Sequence, residues 1–126
     1  SEYRIAAGPK TRAIAGLSMG GDHSILIGFN HLDLFSAIGA FSPVGPRDFE
    51  TRFPQILADA KGTNGKLKTV YIACGKQDPG HYPSSERFSG VLTKHGIKHT
   101  YKATEGAHNF ALWRQYLIEF LPQVFR

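Results

Sequence analysis

Gly16-Leu17-Ser18-Met19-Gly20, followed at once by Gly21, fits the pattern G-x-S-x-G, which presents a nucleophilic serine on a sharp turn between a strand and a helix. A serine hydroxyl is a poor nucleophile at neutral pH. It needs a base to take its proton, an acid to orient that base, and donors for the oxyanion that forms. Candidates for each follow in the chain. Asp78 stands in Gly75-Lys76-Gln77-Asp78-Pro79-Gly80, and His108 in Glu105-Gly106-Ala107-His108-Asn109-Phe110. The chemistry open to such a set is acyl transfer. Ser18 attacks a carbonyl, His108 takes its proton and returns it to the leaving alcohol, and Asp78 holds the imidazole tautomer. The backbone N–H of Met19, next after the nucleophile, is the expected first oxyanion donor. The pentapeptide alone is also compatible with an ordinary Gly-rich turn, so the weight comes from the three blocks together.

These residues need elements that bring them to one rim. Strand patterns fall at 12–15, 37–41, 69–74 and 99–103, and helical patterns at 21–30, 49–58, 84–95 and 110–124. The last helix places Leu112, Tyr116, Phe120 and Val124 at helical spacing, with Leu117 and Leu121 adjoining, as for a helix laid on a sheet. Alternation of this kind predicts parallel crossovers with helices on both faces. Each proposed site residue then follows the C-terminal end of a strand, where open α/β sheets place their sites. Pro43-Val44-Gly45-Pro46 and Gly62-Thr63-Asn64-Gly65 read as turns or loops.

Gly-Leu-Ser-Met-Gly-Gly at 16–21, Ala-Cys-Gly-Lys-Gln-Asp at 73–78 and Glu-Gly-Ala-His-Asn-Phe-Ala-Leu-Trp-Arg-Gln-Tyr-Leu at 105–117 resemble three signature blocks of the esterase D-like α/β-hydrolases. The likeness is strongest to the feruloyl and acetyl xylan esterase branch, and Phe35 to Pro43 resembles the strand after the elbow helix in those enzymes. The resemblance implies a Ser18–His108–Asp78 triad, no cofactor, no metal, and acyl esters of plant polysaccharide as substrates. Acyl transfer to another alcohol, as in the mycolyltransferase branch, uses the same machinery. Asp48 and Glu105 are rival acids, but Asp48 lies outside a matched block and Glu105 is three residues from His108.

The chain matches only the C-terminal half of such a domain, so 1–126 reads as a single partial α/β-hydrolase domain of about four parallel strands. The only methionine is Met19 and the chain opens on Ser1. In the family the first strand here is interior. Left at an edge it invites pairing, so a homodimer or a missing N-terminal half is expected against it. The second oxyanion donor belongs to a loop after an earlier strand, and losing one donor costs on the order of a hundred- to a thousandfold in rate. Alone, the chain is expected to be a weak esterase. The alternative is an inactive fragment acting as a binding or partner-pairing module.

Composition adds bounds. The formal charge is +5, with Lys10, Arg12, Arg47, Lys61, Lys66, Lys68, Lys94, Lys98 and Lys102 spread along the chain, which argues against a nucleic-acid groove. The single Cys74 excludes an internal disulfide and a cysteine metal cluster. No apolar run approaches the ~20 residues of a membrane span. The compartment is open, and only the resemblance favours a secreted or periplasmic protein. None of the six histidines forms an H-x₃-H or H-E-x-x-H pattern, so His23, His31, His95 and His99 read as surface or helix-end residues. Pro43, His81 and Tyr82 are candidate cleft residues. Trp113 lies five residues past His108. Carried along a helix, that spacing turns it about 140° from the histidine, which favours a core role over a cleft role.

Overall fold

Small and β-branched side chains suit a strand buried on both faces, and Ala37-Ile38-Gly39-Ala40-Phe41 and Thr69-Val70-Tyr71-Ile72-Ala73-Cys74 are such runs. The structure, a computed structural model, describes residues 12–124, so Ser1 and Lys10 lie outside it. The elements are β1 (Ala13–Leu17), α1 (Met19–Asn30), β2 (Ala37–Phe41), α2 (Phe49–Arg52), α3 (Pro54–Ala58), α4 (Ala60–Lys66), β3 (Thr69–Gly75), α5 (Tyr82–Lys94), β4 (Thr100–Thr104) and α6 (Phe110–Val124). The strands form one parallel sheet in the order β1-β2-β3-β4. The expected α/β plan of four parallel strands alternating with helices is therefore the observed one. Because all four strands run the same way, their C-terminal ends share one rim.

Side chains alternate across the sheet as the pleat requires. Ile38, Ala40, Val70 and Ile72 face a layer that includes Ile25 and Phe29 of α1, Phe49 of α2, and Phe88 and Leu92 of α5. Ala37, Phe41, Tyr71 and Ala73 face Trp113, Tyr116 and Phe120 of α6. Gly39 lets α6 settle close, since a Cβ there would meet the Phe120 ring at 3.0–3.1 Å. Tyr71 also donates to Glu119 at 2.7 Å, tying α6 to the sheet's centre. Burial, with that carboxylate beside it, pushes the Tyr71 hydroxyl well above its usual range and keeps it a neutral donor.

Three segments differ most from the sequence reading. β1 runs on through Gly16 and Leu17, and α1 begins at Met19. Ser18 alone is thus the hinge between them. The single helix expected over 49–58 is broken at Phe53, because Pro54 starts a new helix, with no N–H to continue the old one. Gly62-Thr63-Asn64-Gly65, expected as a loop, lies inside α4. Tertiary contacts override weak propensity there. Asp59 caps α4 by accepting from the Gly62 N–H at 3.1 Å. Asn64 donates to the Gly96 carbonyl at 2.9 Å and accepts from the Lys98 N–H at 2.8 Å.

Among the described residues no strand pairs with the outer side of β1, whose side chains alternate between exposed and half-buried. Leu17, Met19, Phe110, Leu117 and Leu121 are exposed at and near this edge.

Candidate active site

Ser18 is held in the left-handed region, φ 54° and ψ −121°. That conformation costs a residue with a Cβ on the order of 1–3 kcal/mol, and the surrounding backbone enforces it. The Ser18 N–H donates to the Phe41 carbonyl at 2.7 Å, extending the β1–β2 ladder to the last possible residue. The chain then turns directly into α1, where Gly21 and Asp22 donate to the Ser18 carbonyl at 3.0 and 3.2 Å. Gly16 makes the turn possible, because a Cβ there would collide with the Gly20 backbone. Met19 occupies the first turn of α1, where N–H groups have no acceptor within the helix. Its N–H is therefore available to a ligand at the elbow.

The acid and the histidine come from loops stitched to each other. The Lys76 N–H donates to the Thr104 carbonyl at 2.7 Å and the Gln77 N–H to the Gly106 carbonyl at 2.9 Å. The Gln77 side chain accepts in return from the Gly106 N–H at 2.5 Å. Gly75 and Gly106 meet so closely that a Cβ on Gly75 would strike the Gly106 carbonyl, and Gly106 itself takes φ 127°. This seam delivers His108 to Asp78. His108 Nδ1 lies 2.6 Å from Asp78 Oδ2, and His108 Nε2 lies 3.0 Å from Ser18 Oγ. Asp78 is 4% exposed. A buried carboxylate that accepts from Nδ1 leaves the Nε2 lone pair facing the serine. The three expected triad residues therefore stand within hydrogen-bond reach in the order Ser18, His108, Asp78. The rival acids do not reach His108. Asp48 pairs with Arg52 at 2.9 Å, and Glu105 with Gln77 at 2.8 Å. Cys74 is buried beneath β3's end, and burial raises its thiol above the usual range, so it is no competing nucleophile.

The other candidates divide. Trp113 is buried, yet its ring stands edge-on to His108 with centroids 4.7 Å apart, and its Nε1–H donates to Ser42 Oγ at 2.9 Å. The angular reading that turned it away from the histidine fails because His108 precedes the helix, which begins at Phe110. Trp113 thus belongs both to the core beneath α6 and to the wall behind the histidine. Pro43 is fully buried, its carbonyl taking the Ser85 hydroxyl, so it does not line an open cleft. Its ring packs under the rim instead, since the strand it follows has both faces covered. Tyr82 lies at the start of α5 and donates to Glu86 at 2.9 Å. His81 borders the site more closely than expected, with its Nδ1 2.8 Å from Asp78 Oδ1 and its ring stacked on His108. Its spacing of three residues from an acid at a helix start was the sequence signal for this pair. Ser42, at φ 55° and buried, had no such signal. His31 and His95 are helix caps, as expected, while His99 is tied to Ser89 at 2.7 Å.

Asp78, His81 and His108 are also the one group among the described residues whose side chains approach closely enough to hold a metal, their ligand atoms lying within 4.8 Å of one another. Each Nδ1 instead points at an Asp78 oxygen at hydrogen-bond distance. Two ligands on a tetrahedral zinc, each about 2.0–2.1 Å from the ion, would sit roughly 3.3 Å apart. The set as found is a hydrogen-bonded one. An apolar cavity of about 310 Å³ is lined by Leu17, Phe41, Phe110, Trp113, Arg114 and Leu117. A larger cavity, about 550 Å³, includes Ser36, Thr69 and Glu119 and lies at the opposite, N-terminal end of the strands. It has no part in the chemistry of the rim.

A family model described as "Putative esterase" matches residues 1–124. Over 117 residues, 91% of this chain, the sequence is 31% identical to an endo-1,4-beta-xylanase/feruloyl esterase of Xylanibacter ruminicola, and covers 14% of that protein. Among solved structures, a ferulic acid esterase superposes with a TM-score of 0.77 at 25% identity, over 98% of this chain and 54% of the other. The S-formylglutathione hydrolase of Staphylococcus aureus gives 0.73 at 21% identity, over 98% of this chain and 55% of the other. The chain thus spans about half the length of these solved structures and a smaller share of the curated relative.

Proposed function

The chain belongs to the putative esterase family, and from that premise we propose that it hydrolyses carboxylic esters through an acyl-enzyme on Ser18. The supporting observation is the continuous hydrogen-bonded line from Ser18 Oγ through His108 to the buried Asp78. As Oγ attacks the ester carbonyl, its proton passes to His108 Nε2, and the carbonyl oxygen gains the negative charge. The Met19 N–H stabilises that oxyanion. Collapse of the intermediate expels the alkoxide, which takes the proton from His108. Water then repeats the steps in reverse and releases the carboxylic acid, returning Ser18 to its starting state.

The substrates we propose are feruloyl or acetyl esters of plant polysaccharide. Support comes from the relatives' names, a feruloyl esterase and a ferulic acid esterase. The test is release of acid from methyl ferulate and from p-nitrophenyl acetate, each beside the Ser18→Ala variant. Hydrolysis of both is expected, with the higher kcat/KM on the ferulate. Serine-dependent turnover of the acetate alone would overturn the aromatic assignment.

We further propose that the free edge of β1, with the exposed apolar side chains beside it, is covered by further strands or by a second copy of the chain. The second oxyanion donor would come from there. Exposed Leu17, Met19, Phe110, Leu117 and Leu121, beside a β1 edge that no described strand pairs with, support this reading. Sedimentation velocity of the isolated chain is expected to show a dimer. A stable monomer at high concentration would contradict it.

A further inference from the structure

We infer that His81 is a positioning residue for the reaction, sharing the carboxylate of Asp78 with His108; the inference rests on the triad proposed above. A carboxylate has two oxygens, and His108 uses one. At 4% exposure, Asp78 has little water for the other, and a buried carboxylate oxygen without a donor is costly. His81 Nδ1, 2.8 Å from Oδ1, supplies that donor, while His108 Nδ1 takes Oδ2 at 2.6 Å. The carboxyl plane is thereby pinned from both sides and cannot rotate away from His108.

The backbone fixes His81 as firmly. The Asp78 carbonyl accepts from the N–H groups of His81 at 3.1 Å and Tyr82 at 2.8 Å, so one tight turn carries the acid and the second histidine into α5. The His81 ring then lies on the His108 ring, centroids 4.1 Å apart and planes 15° from parallel. His108 also stands nearly perpendicular to the Trp113 ring, centroids 4.7 Å apart. The imidazole that must move a proton thus contacts two rings and one carboxylate.

Both Nδ1 atoms face an acceptor-only carboxylate, so both histidines carry their neutral proton on Nδ1. When His108 takes the serine proton, a second positive charge on the ring stacked against it is disfavoured by like-charge repulsion. The charged groups nearby are engaged elsewhere. Glu86 of α5 takes the Tyr82 hydroxyl, and Lys76 and Glu105, on the stitched loops, pair at 3.8 Å. Asp78 and His108 are what His81 faces.

The test compares the wild-type chain with His81→Leu, His81→Asn and Ser18→Ala. It measures kcat and KM for p-nitrophenyl acetate across pH, and imidazole ¹⁵N shifts at neutral pH. Asparagine keeps an N–H near the Nδ1 position without a titrating ring. Loss of a hydrogen bond to a charged group predicts roughly a tenfold or greater fall in kcat for His81→Leu, with little change in KM. His81→Asn should recover most of it. The ¹⁵N shifts should show the Nδ1–H tautomer at both histidines. A leucine variant with wild-type kcat, or one that changes KM alone, would overturn the inference. So would an Nε2–H tautomer at His81. If the wild type shows no turnover beyond Ser18→Ala, the triad reading fails, while the ¹⁵N shifts still judge the His81–Asp78 pair separately.

Discussion

Replacing His108 with alanine is expected to lower kcat for ester hydrolysis by roughly four to six orders of magnitude or to the assay floor. The reason lies in the geometry of one atom. Nε2 is 3.0 Å from Ser18 Oγ, and every proton transferred in the cycle passes through that nitrogen. No other base is placed to substitute. His81 is turned onto Asp78 by its Nδ1, and Glu105 is held by Gln77 and Lys76. The fold should survive the change, because the His108 side chain is 30% exposed and lies in a loop outside both buried clusters. The midpoint of urea unfolding is expected to stay near that of the wild type while turnover falls. A collapse of both together would point to a structural role, and retained turnover would remove His108 from the mechanism.

Asp78→Asn is expected to cost about 10⁴-fold in kcat with KM little changed. The volume is conserved, so the loss is one of hydrogen-bond logic. Two Nδ1 atoms now approach Asp78, at 2.6 and 2.8 Å, and a carboxylate accepts from both. An amide offers a single acceptor oxygen, so one histidine must face an N–H₂ group and adopt the other tautomer. If that histidine is His108, its Nε2 carries a proton toward Ser18 and cannot take another. The negative charge that would stabilise the imidazolium is gone in either case. An Asp78→Asn variant within tenfold of wild type would show that the carboxylate is not the orienting group.

Much of this site was legible because its chemistry is written in short blocks. The elbow, the acid loop and the histidine loop each follow a strand, and parallel strands bring such loops to one rim without further information. The elbow glycine is explained by the Gly20 backbone it must pass. What was not legible depends on contacts across the fold. Trp113 was turned away from His108 by carrying the helical period across a loop, whereas the helix begins at Phe110. Pro43 looked like a rim residue from its place after a strand, but Ser85 of α5 draws its carbonyl inward. The Gly62–Gly65 segment has loop composition and becomes helix only because Asp59 caps it and Asn64 reaches the 96–98 turn. Gln77, which stitches the Asp78 loop to the His108 loop, carried no signal beyond standing next to an acid.

The central claim is that this chain assembles an activated serine, and intact-mass detection of a covalent fluorophosphonate adduct tests it most directly. One adduct per wild-type chain is expected, absent in Ser18→Ala and formed far more slowly in His108→Ala. A folded wild-type chain that acquires no adduct, or one whose adduct persists in Ser18→Ala, would contradict it.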